Sequence, residues 1–466
     1  MKSTARFSLR VAALTLLVGM IALPAFAGSH KNRIKEPIKE PQDVTRQCLK
    51  CHMDEAKDFM KSSHWRWSLE QKIDGKTVEM GKGNALNNYC TSVAGNEKFC
   101  SKCHAGYGMT DFKTYDFNNA ENIDCLVCHD TTGNYAKDTN TAGYPTARAM
   151  DRLLMVAQNV GKPNRDNCGQ CHFFGGGGDA IKHGDLDSTM SYPDKNLYVH
   201  MDLEGNDFSC IECHQTEDHM ITGNSLGVSP GGKTHFDCTE CHESDVHPES
   251  RLNAHVDTVA CQTCHIPTFA KEKATKVWWD WSKAGEERQF DEKDEHGHHT
   301  YVKKKGEMKY DMNIVPTYKW YNGTGGAYLR GAKIDEDEVV KIAYPLGDMK
   351  DNDAKIYPFK VMAGKQIYDT KYKNLITAKL ANEGGYWKDF DWDKAARLGS
   401  KASGLPYSGK YGFAETIMYW RINHMVAPKE QALSCLDCHG DNGRMDWKEL
   451  GYKGDPMSNP KWARSN

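Results

Sequence analysis

The sequence predicts a mainly α fold with little regular sheet, in which groups other than aliphatic side chains fill part of the core. The hydrophobic fraction is 39%, which is modest for a chain of 466 residues. Residues 148–160 and 411–427 have apolar side chains at helical spacing, whereas residues 280–370 are rich in Lys, Asp, Gly and Tyr and are typical of loops with short elements. The third observation is a cysteine motif that recurs along the chain, and it indicates what the chain wraps around.

Residues 1–27 are typical of a cleavable secretory signal. Three basic residues precede an apolar stretch that ends in the small-x-small sequence Ala25-Phe26-Ala27. A membrane anchor is the alternative, but the apolar stretch is too short to span a bilayer comfortably. We therefore expect a periplasmic mature chain, residues 28–466, with no membrane span.

The charge balance gives no indication of nucleic-acid binding. The chain has 60 basic and 63 acidic residues and a net charge of -3, whereas nucleic-acid binders usually carry a strongly basic domain or stripe. Partners must therefore be inferred from the chemistry of the sites.

Sixteen of the seventeen cysteines lie in the motif Cys-x-x-Cys-His, which occurs eight times. The copies are Cys48/Cys51/His52, Cys100/Cys103/His104, Cys125/Cys128/His129, Cys168/Cys171/His172, Cys210/Cys213/His214, Cys238/Cys241/His242, Cys261/Cys264/His265 and Cys435/Cys438/His439. Each thiol can bond a haem vinyl group, and the adjacent His then lies under the iron as an axial ligand. Zinc sites and disulfides are alternatives, but a zinc site combines two Cys pairs and does not require a His after each pair. The motifs predict eight covalently attached haem c groups.

Each haem iron has a second axial position, which the other twelve histidines can supply. His30 lies at the mature N-terminus, and His296, His298 and His299 lie in a charged tract, so we expect these four in solvent. The remaining eight are the predicted distal ligands: His64, His183, His200, His219, His235, His247, His255 and His424. Methionine ligation is a less favoured alternative.

His424 has the clearest local pattern of the eight. Phe413, Ile417, Trp420 and His424 recur at helical spacing before Pro428, which predicts a C-terminal helix with His424 on its apolar face. If every iron had two protein ligands, the chain would only conduct electrons. A catalytic haem needs an iron that can take a substrate.

A glycine-rich segment follows the fourth motif. The four consecutive glycines 175–178 allow the backbone to approach a flat cofactor closely or to adopt positive φ. A flexible loop is the alternative, whereas a phosphate-binding loop would need a following Gly-Lys-Ser/Thr.

The eight motifs, the segment 175–187 and the sequence 427–435 together resemble the octahaem tetrathionate reductase family. That family is similar in haem arrangement to pentahaem cytochrome c nitrite reductase and to hydroxylamine oxidoreductase. The resemblance implies that the haem on Cys100 and Cys103 is catalytic and that a lysine is one of its axial ligands. In the nitrite reductases that lysine ends a Cys-x-x-Cys-Lys motif, but all eight motifs here end in His.

The ligand lysine must therefore come from elsewhere in the chain. Lys182, beside the glycine run, is the first candidate, with Lys162 and Lys137 behind it. A neutral amine can bind iron only if burial or the metal lowers its pKa. Whether His104 also binds that iron stays open.

Other polar residues near the second and fourth motifs are candidates for roles at the same site. Cys90 lies outside the motifs and is either a small buried hydrophobe or a redox or sulfur-handling thiol. Four aspartates are candidates for a calcium site, as in the related nitrite reductases, or form a solvated acidic loop. Three arginines are candidates for steering an anion, or face solvent. These residues are Asp179, Asp185, Asp187, Asp194, Arg148, Arg152 and Arg165.

The motif spacing predicts one cytochrome domain with three parts. These are a haem core over residues 48–265, a largely haem-free segment over residues 266–410, and a C-terminal helix with the last haem over residues 411–466. The predicted function is a periplasmic reductase in which bis-His haems pass electrons to a lysine-ligated haem that reduces tetrathionate, and also nitrite or hydroxylamine. The expected partners are a small inorganic sulfur or nitrogen anion and an electron-donor cytochrome or quinol-linked donor. The alternatives are a non-catalytic electron-transfer cytochrome and a hydroxylamine-oxidising enzyme.

Overall fold

The computed structural model describes residues 30–232, 236–289 and 292–464, which form fourteen α-helices and thirteen strands. The helices are α1 (Pro41–Cys48), α2 (Met53–Phe59), α3 (Ser63–Arg66), α4 (Glu97–Cys100), α5 (Leu126–His129), α6 (Ala147–Met150), α7 (Leu153–Gln158), α8 (Arg165–His172), α9 (Cys210–Cys213), α10 (Ser250–His255), α11 (Cys261–His265), α12 (Tyr386–Asp389), α13 (Trp392–Ser403) and α14 (Cys435–Cys438). The strands are β1 (Leu69–Ile73), β2 (Lys76–Met80), β3 (Thr216–Glu217), β4 (Met220–Ile221), β5 (Thr275–Asp280), β6 (Tyr301–Val302), β7 (Gly306–Asp311), β8 (Thr317–Tyr321), β9 (Gly325–Ala327), β10 (Val340–Pro345), β11 (Lys355–Asp369), β12 (Asn374–Leu375) and β13 (Tyr411–Arg421).

The cysteine motifs lie on or next to short helical turns. In the last motif, for example, the backbone N–H of His439 donates to the carbonyl oxygen of Cys435 at 2.9 Å. One turn of this kind places residues three and four apart on one face, so both thiols and the imidazole are presented together. The predicted helix over residues 148–160 is also present, as α6 and α7.

Nine strands between the seventh and eighth motifs form one sheet. Its order is β6-β7-β5-β11-β13-β10-β9, and β8 and β12 also pair with β11. The central strand β11 has 15 residues; it runs antiparallel to β13 and parallel to β5. The haem-free segment is thus a β structure inserted into a mainly helical chain.

This sheet corrects two predictions about secondary structure. Residues 280–370 are not mainly loops, and residues 411–427 do not form a C-terminal helix, because β13 occupies Tyr411–Arg421. Alternate side chains of β13 are buried, which is the period of a strand: Ala414, Thr416, Met418 and Trp420. Small Ala414 and polar Thr416 belong to the buried face. The large apolar residues alone therefore have the spacing of a helix, although the buried side chains follow the period of a strand.

The largest buried cluster joins the sheet to the loops around the second and fourth motifs. Its members include Trp279, Trp281, Met362 and Met418 from the sheet and Leu86, Tyr89 and Ile181 from the loops. The chain segments that contain Cys90 and Lys182 therefore pack directly on the sheet.

No helix in the described part of the chain is long and apolar enough to cross a membrane. The predicted signal peptide, residues 1–27, lies outside that part.

Candidate functional site

Histidine rings from distant parts of the chain face each other in pairs across a nearly constant gap. Six pairs join a motif histidine to another histidine: His52–His30 (6.3 Å between ring centroids), His172–His64 (6.2 Å), His214–His424 (6.3 Å), His242–His200 (6.1 Å), His265–His247 (6.1 Å) and His439–His255 (6.4 Å). His219 lies near a seventh motif histidine, His129. Burial lowers the pKa of His129 most, and the charge of His219 lowers it further.

This gap fits one iron held between two imidazoles. A metal–nitrogen bond of about 2.0 Å, plus about 1.1 Å from that nitrogen to the ring centre, gives about 6 Å between two rings on opposite sides of an iron. Two thiols accompany each motif histidine, as covalent attachment of a porphyrin requires. The residues present therefore fit haem c.

The motif thiols differ in how far the protein covers them. Cys51, Cys241 and Cys435 are exposed, whereas the other motif cysteines are half-buried. We expected the chain to wrap around its cofactors, but Cys51, Cys241 and Cys435 are not enclosed. The physical reason is local. Cys51 lies in the short link between α1 and α2, Cys241 directly follows the single turn Cys238–Glu240, and Cys435 begins α14, a four-residue helix whose residues are not buried. Covalent attachment does not require burial, so all three stay predicted attachment residues.

Six of these fourteen rings have a fixed acceptor at Nδ1, which leaves Nε2 for a metal. The acceptors are Gly161 O for His129 (2.8 Å), Thr222 O for His214 (2.9 Å), Asn253 Oδ1 for His247 (3.1 Å), Arg251 O for His255 (2.8 Å), Asp185 Oδ2 for His424 (3.1 Å) and Asp455 Oδ1 for His439 (2.6 Å). Such a hydrogen bond sets the tautomer and ring orientation of a metal-binding histidine.

His104, in the second motif, has the opposite arrangement. Its Nε2 lies 2.7 Å from the carbonyl oxygen of Trp65, and a carbonyl can only accept, so Nε2 carries the hydrogen. The His104 ring is fully buried and stacks on Trp65 with centroids 5.4 Å apart. Burial lowers the pKa of His104 to about 3, so the ring is neutral. Among the described rings that contact His104 there is no second histidine.

Lys182 is buried close to the cysteines of the second motif. Its Nζ lies 4.7 Å from the ring centroid of Trp420, and within the described residues it forms no ion pair. Burial lowers the pKa of Lys182 to about 8, and the charge of Lys82 lowers it further, whereas Cys103 raises it. A buried amine with a lowered pKa is the form of lysine that can bind a metal.

The backbone at Lys182 is fixed by the sheet and by the loop before the second motif. Tyr89 Oη donates to the Lys182 carbonyl oxygen at 2.6 Å. Lys360, on β11, donates to the same oxygen at 2.9 Å and to that of Ile181 at 3.1 Å. Thr275, on β5, donates to the carbonyl oxygen of Ala180 at 2.7 Å. These contacts fix the backbone from which the Lys182 side chain extends.

The glycine run makes room for the Lys182 side chain. A Cβ added at Gly176 would lie 3.2 Å from the Cβ of Lys182, and Gly176 has φ of +77°. A Cβ at Gly175 would lie 3.0 Å from Cδ of Lys182. The segment is therefore packed against a side chain rather than being a free loop.

The second motif contacts the third and fourth motifs. Cys103 and Cys171 share a side-chain hydrogen bond, which places the second motif against the fourth. Lys137 Nζ lies 3.1 Å from Asp124 Oδ2, just before Cys125 of the third motif, and both side chains are buried. Lys137 also donates to the carbonyl oxygen of His104.

Cys90 is half-buried against the large cluster that joins sheet and loops. Burial raises the pKa of its thiol, and the charges of Lys276, Lys305 and Lys182 lower it. The cations that act on this thiol are therefore lysines.

The chain is similar to known bacterial cytochromes. A family model described as bacterial cytochrome c matches residues 276–442. The crystal structure of octaheme cytochrome c from Shewanella oneidensis matches with a TM-score of 0.89 and 53% identity, covering 94% of this chain and 100% of that chain. The chain belongs to the octahaem c-type cytochromes. An uncharacterized protein of Archaeoglobus fulgidus is 23% identical to this cytochrome over 227 residues, which are 39% of this chain and 76% of that protein.

Membership of this family confirms the predicted fold class and the covalently bound haem c. Helix exceeds strand in the cytochrome, at 24% against 19%, although the sheet is larger than we expected.

The structure brings six of the eight predicted distal histidines of the cytochrome to a motif histidine: His64, His200, His219, His247, His255 and His424. His183 instead meets the ring edge of Trp420, with centroids 5.1 Å apart, and His235 lies outside the described residues. His30, which we expected in solvent, faces His52. The signal that could have identified His30 is its position in the chain, because the short turn His30–Asn32 lies close before α1, which ends at Cys48.

The two alternative lysines have other positions in the cytochrome. Lys137 is held in its ion pair with Asp124, and Lys162 is exposed. The predicted arginines lie apart from the lysines around Cys90. Arg148 and Arg152 are exposed, and Arg165 binds Asp207 at 2.9 Å.

The four aspartates considered for calcium have separate partners. Asp179 pairs with Lys273, Asp185 accepts from His424, Asp187 accepts from the backbone of Thr189 at 2.8 Å, and Asp194 from that of Asn196 at 2.8 Å. Within the described chain, no group of three or more His, Cys, Asp or Glu is placed to hold a metal ion.

Proposed function

We propose that this cytochrome is a periplasmic reductase of small oxidised inorganic anions, with tetrathionate as its first substrate. The eight motifs would attach eight haems, the seven histidine pairs would hold seven irons, and Lys182 would bind the eighth, on Cys100 and Cys103. The observation that carries the proposal is the contrast between the second motif and the other seven. Among the described residues, only there is the motif Nε2 bonded to a backbone carbonyl, at Trp65, with a buried unpaired lysine nearby.

When bound, the haems supply electrons and one iron that can accept a substrate. Reduction of tetrathionate takes two electrons, breaks the central sulfur–sulfur bond and releases two thiosulfates without a proton. Nitrite reduction to ammonium takes six electrons, and hydroxylamine reduction takes two, each with protons. The same site would serve these smaller substrates.

The chain's own residues hold this site in place. Lys360 and Tyr89 fix the Lys182 carbonyl, so the amine is presented in one orientation. Trp65 holds the His104 ring, and Lys137 holds the His104 carbonyl, so His104 is a positioning residue for the motif. Cys90 borders Lys182 and is placed to contact a sulfur substrate.

Export and an electron donor complete the proposal. The signal-like residues 1–27 and the covalent haem chemistry favour the periplasm. A donor cytochrome or a quinol-linked protein would supply the electrons. The exposed thiols Cys51, Cys241 and Cys435 favour entry of these electrons near the first, sixth or eighth motif.

Protein-film voltammetry of the purified holoprotein tests this function. We expect a reductive catalytic current with tetrathionate, and smaller ones with nitrite and hydroxylamine. The absence of current with all three would reduce the protein to an electron carrier. An oxidative current with hydroxylamine and no reductive one would reverse the direction of the reaction.

A further inference from the structure

Lys276, on β5, is a buried amine that forms no ion pair in the described part of the chain, so a bound anion would stabilise its charged form. Its residue is 2% exposed, its Nζ lies 3.3 Å from the ring centroid of Trp279, and its nearest polar contact is the sulfur of Met308 at 3.1 Å. A charged group buried this deeply is costly unless an opposite charge accompanies it. Burial accordingly lowers the pKa of Lys276 well below its usual value.

Cys90 lies in the same cluster as the two neighbours of Lys276. It packs against the group of buried residues that contains Trp279 and Met308. Its backbone N–H donates to Asn87 Oδ1 at 2.9 Å, and its carbonyl accepts from Gln366 Nε2 at 3.1 Å, so its position is fixed. Lys276 and Cys90 therefore border the same buried cluster, and although burial raises the pKa of Cys90, the charge of Lys276 acts on this thiol and lowers it.

Lys305 adds a second unpaired cation to this place. It lies between β6 and β7, it is half-buried, and its carbonyl accepts from Trp279 Nε1 at 2.6 Å. Lys82 lies instead at the second motif: its Nζ is 4.7 Å from the ring centroid of Trp67, and although burial raises the pKa of Cys100, the charge of Lys82 lowers it. No ion pair of these three lysines occurs in the described residues, whereas nearby Lys303 pairs with Glu287.

We propose that Lys276 and Lys305, with Lys82 at the side of the second motif, form a subsite beside Cys90 that binds one negatively charged end of an inorganic sulfur oxyanion. The inference rests on the proposed function and deepens it, because tetrathionate carries a sulfonate at each end. One end would meet these lysines while the rest of the anion extends toward the centre at Cys100 and Cys103. No covalent step is required of Cys90.

Isothermal titration calorimetry of the oxidised holoprotein with thiosulfate tests the subsite directly. We expect Lys276→Met and Lys305→Gln each to weaken thiosulfate binding about tenfold or more, as loss of a charged hydrogen-bond donor does. The matched control is Lys303→Gln, whose lysine is paired with Glu287, and it should bind thiosulfate like the wild type.

Equal binding by the wild type, Lys276→Met and Lys305→Gln would overturn the inference, as would a wild type that binds no thiosulfate. Methionine keeps the unbranched stem of Lys276, and haem content per chain shows whether each variant has matured. If Lys276→Met does not mature, Lys305→Gln decides the question alone.

Substrate charge separates this inference from the proposed function. Both lysine variants should raise KM for tetrathionate and leave KM for hydroxylamine, which is neutral, unchanged. If thiosulfate binding depends on these lysines but no catalytic current is seen, the subsite is supported and the reductase function is rejected. If a catalytic current is seen but thiosulfate binding does not depend on these lysines, the reductase function is supported and the subsite is rejected.

Discussion

His104 donates its Nε2 hydrogen to the carbonyl oxygen of Trp65 at 2.7 Å, so the nitrogen that would bind iron in a bis-His haem is already bonded. The other seven motif histidines have a second histidine in front of them or close by. One site in the cytochrome is therefore built differently from the rest.

The first prediction concerns the spin states of the oxidised protein. Seven irons between histidine pairs should be low-spin, and the iron at Cys100 and Cys103 should be high-spin because it lacks a second histidine. Quantitative electron paramagnetic resonance should find about one high-spin haem in eight, and cyanide should change that signal alone. Eight low-spin haems with no response to added ligand would count against a substrate-binding iron.

The second prediction distinguishes His30 from His183. His30 faces His52, so His30→Ala should create one additional high-spin haem. His183 meets Trp420, and the motif histidine near it, His172, already faces His64, so His183→Phe should leave the number of high-spin haems unchanged. The opposite pattern would show that His30 is not the distal ligand of the first motif.

The third prediction compares two lysines. Lys182→Leu should abolish the catalytic current with tetrathionate, because leucine fills similar space without a group that can bind iron. Exposed Lys162→Leu should keep that current at the wild-type level. Haem content serves as the control for maturation, and full activity of Lys182→Leu would exclude Lys182 as the ligand.

The fourth prediction concerns the packing of the glycine run. Gly176→Ala places a methyl group 3.2 Å from the Lys182 Cβ, at φ of +77°, and should lower the catalytic current. Gly133 also has positive φ, at +65°, but has nothing within 4 Å of an added Cβ. Gly133→Ala therefore has the same backbone strain and should keep the current. Equal effects of the two substitutions would show that only strain matters.

The fifth prediction concerns the ion pair between Asp124 and Lys137. Asp124→Asn leaves a buried ammonium unpaired, which should cost about 3–5 kcal/mol of stability. The double variant Asp124→Asn/Lys137→Met should recover much of this loss, since it removes the uncompensated charge. Thermal unfolding followed by far-ultraviolet circular dichroism measures both. The exposed pair Asp393–Arg397 is the control, and Asp393→Asn should not shift the transition measurably.

The covalent haem sites could be predicted from sequence because their chemistry is local. Two thiols and an imidazole within five residues suffice to identify a motif. Distal ligands are set by distance in the fold, and only counting could suggest them. That count included His183 as one of the eight remaining histidines. It left out His30 because His30 lies at the mature N-terminus. The exposure of Cys51 and Cys241 is also set by the fold, since the motif is the same at covered and uncovered sites.

The sheet was missed for a different physical reason. Its strands mix buried lysines and small residues with aromatic ones, so their period-2 pattern is weak by hydropathy. Lys276 and Lys360 are nearly fully buried, although lysine is among the least buried residue types. Their burial makes sense only once Lys182 and Cys90 are known to lie against them.

The clamp of Lys360 on the Lys182 carbonyl has a consequence for how the protein is made. A chain exported only as far as His265 would already contain seven motifs, yet it would lack β11 and also His424, the partner of His214. The centre near the N-terminus must wait for residues about two hundred positions later in synthesis. Truncated or stalled chains should therefore acquire haem and colour without assembling the site around Lys182.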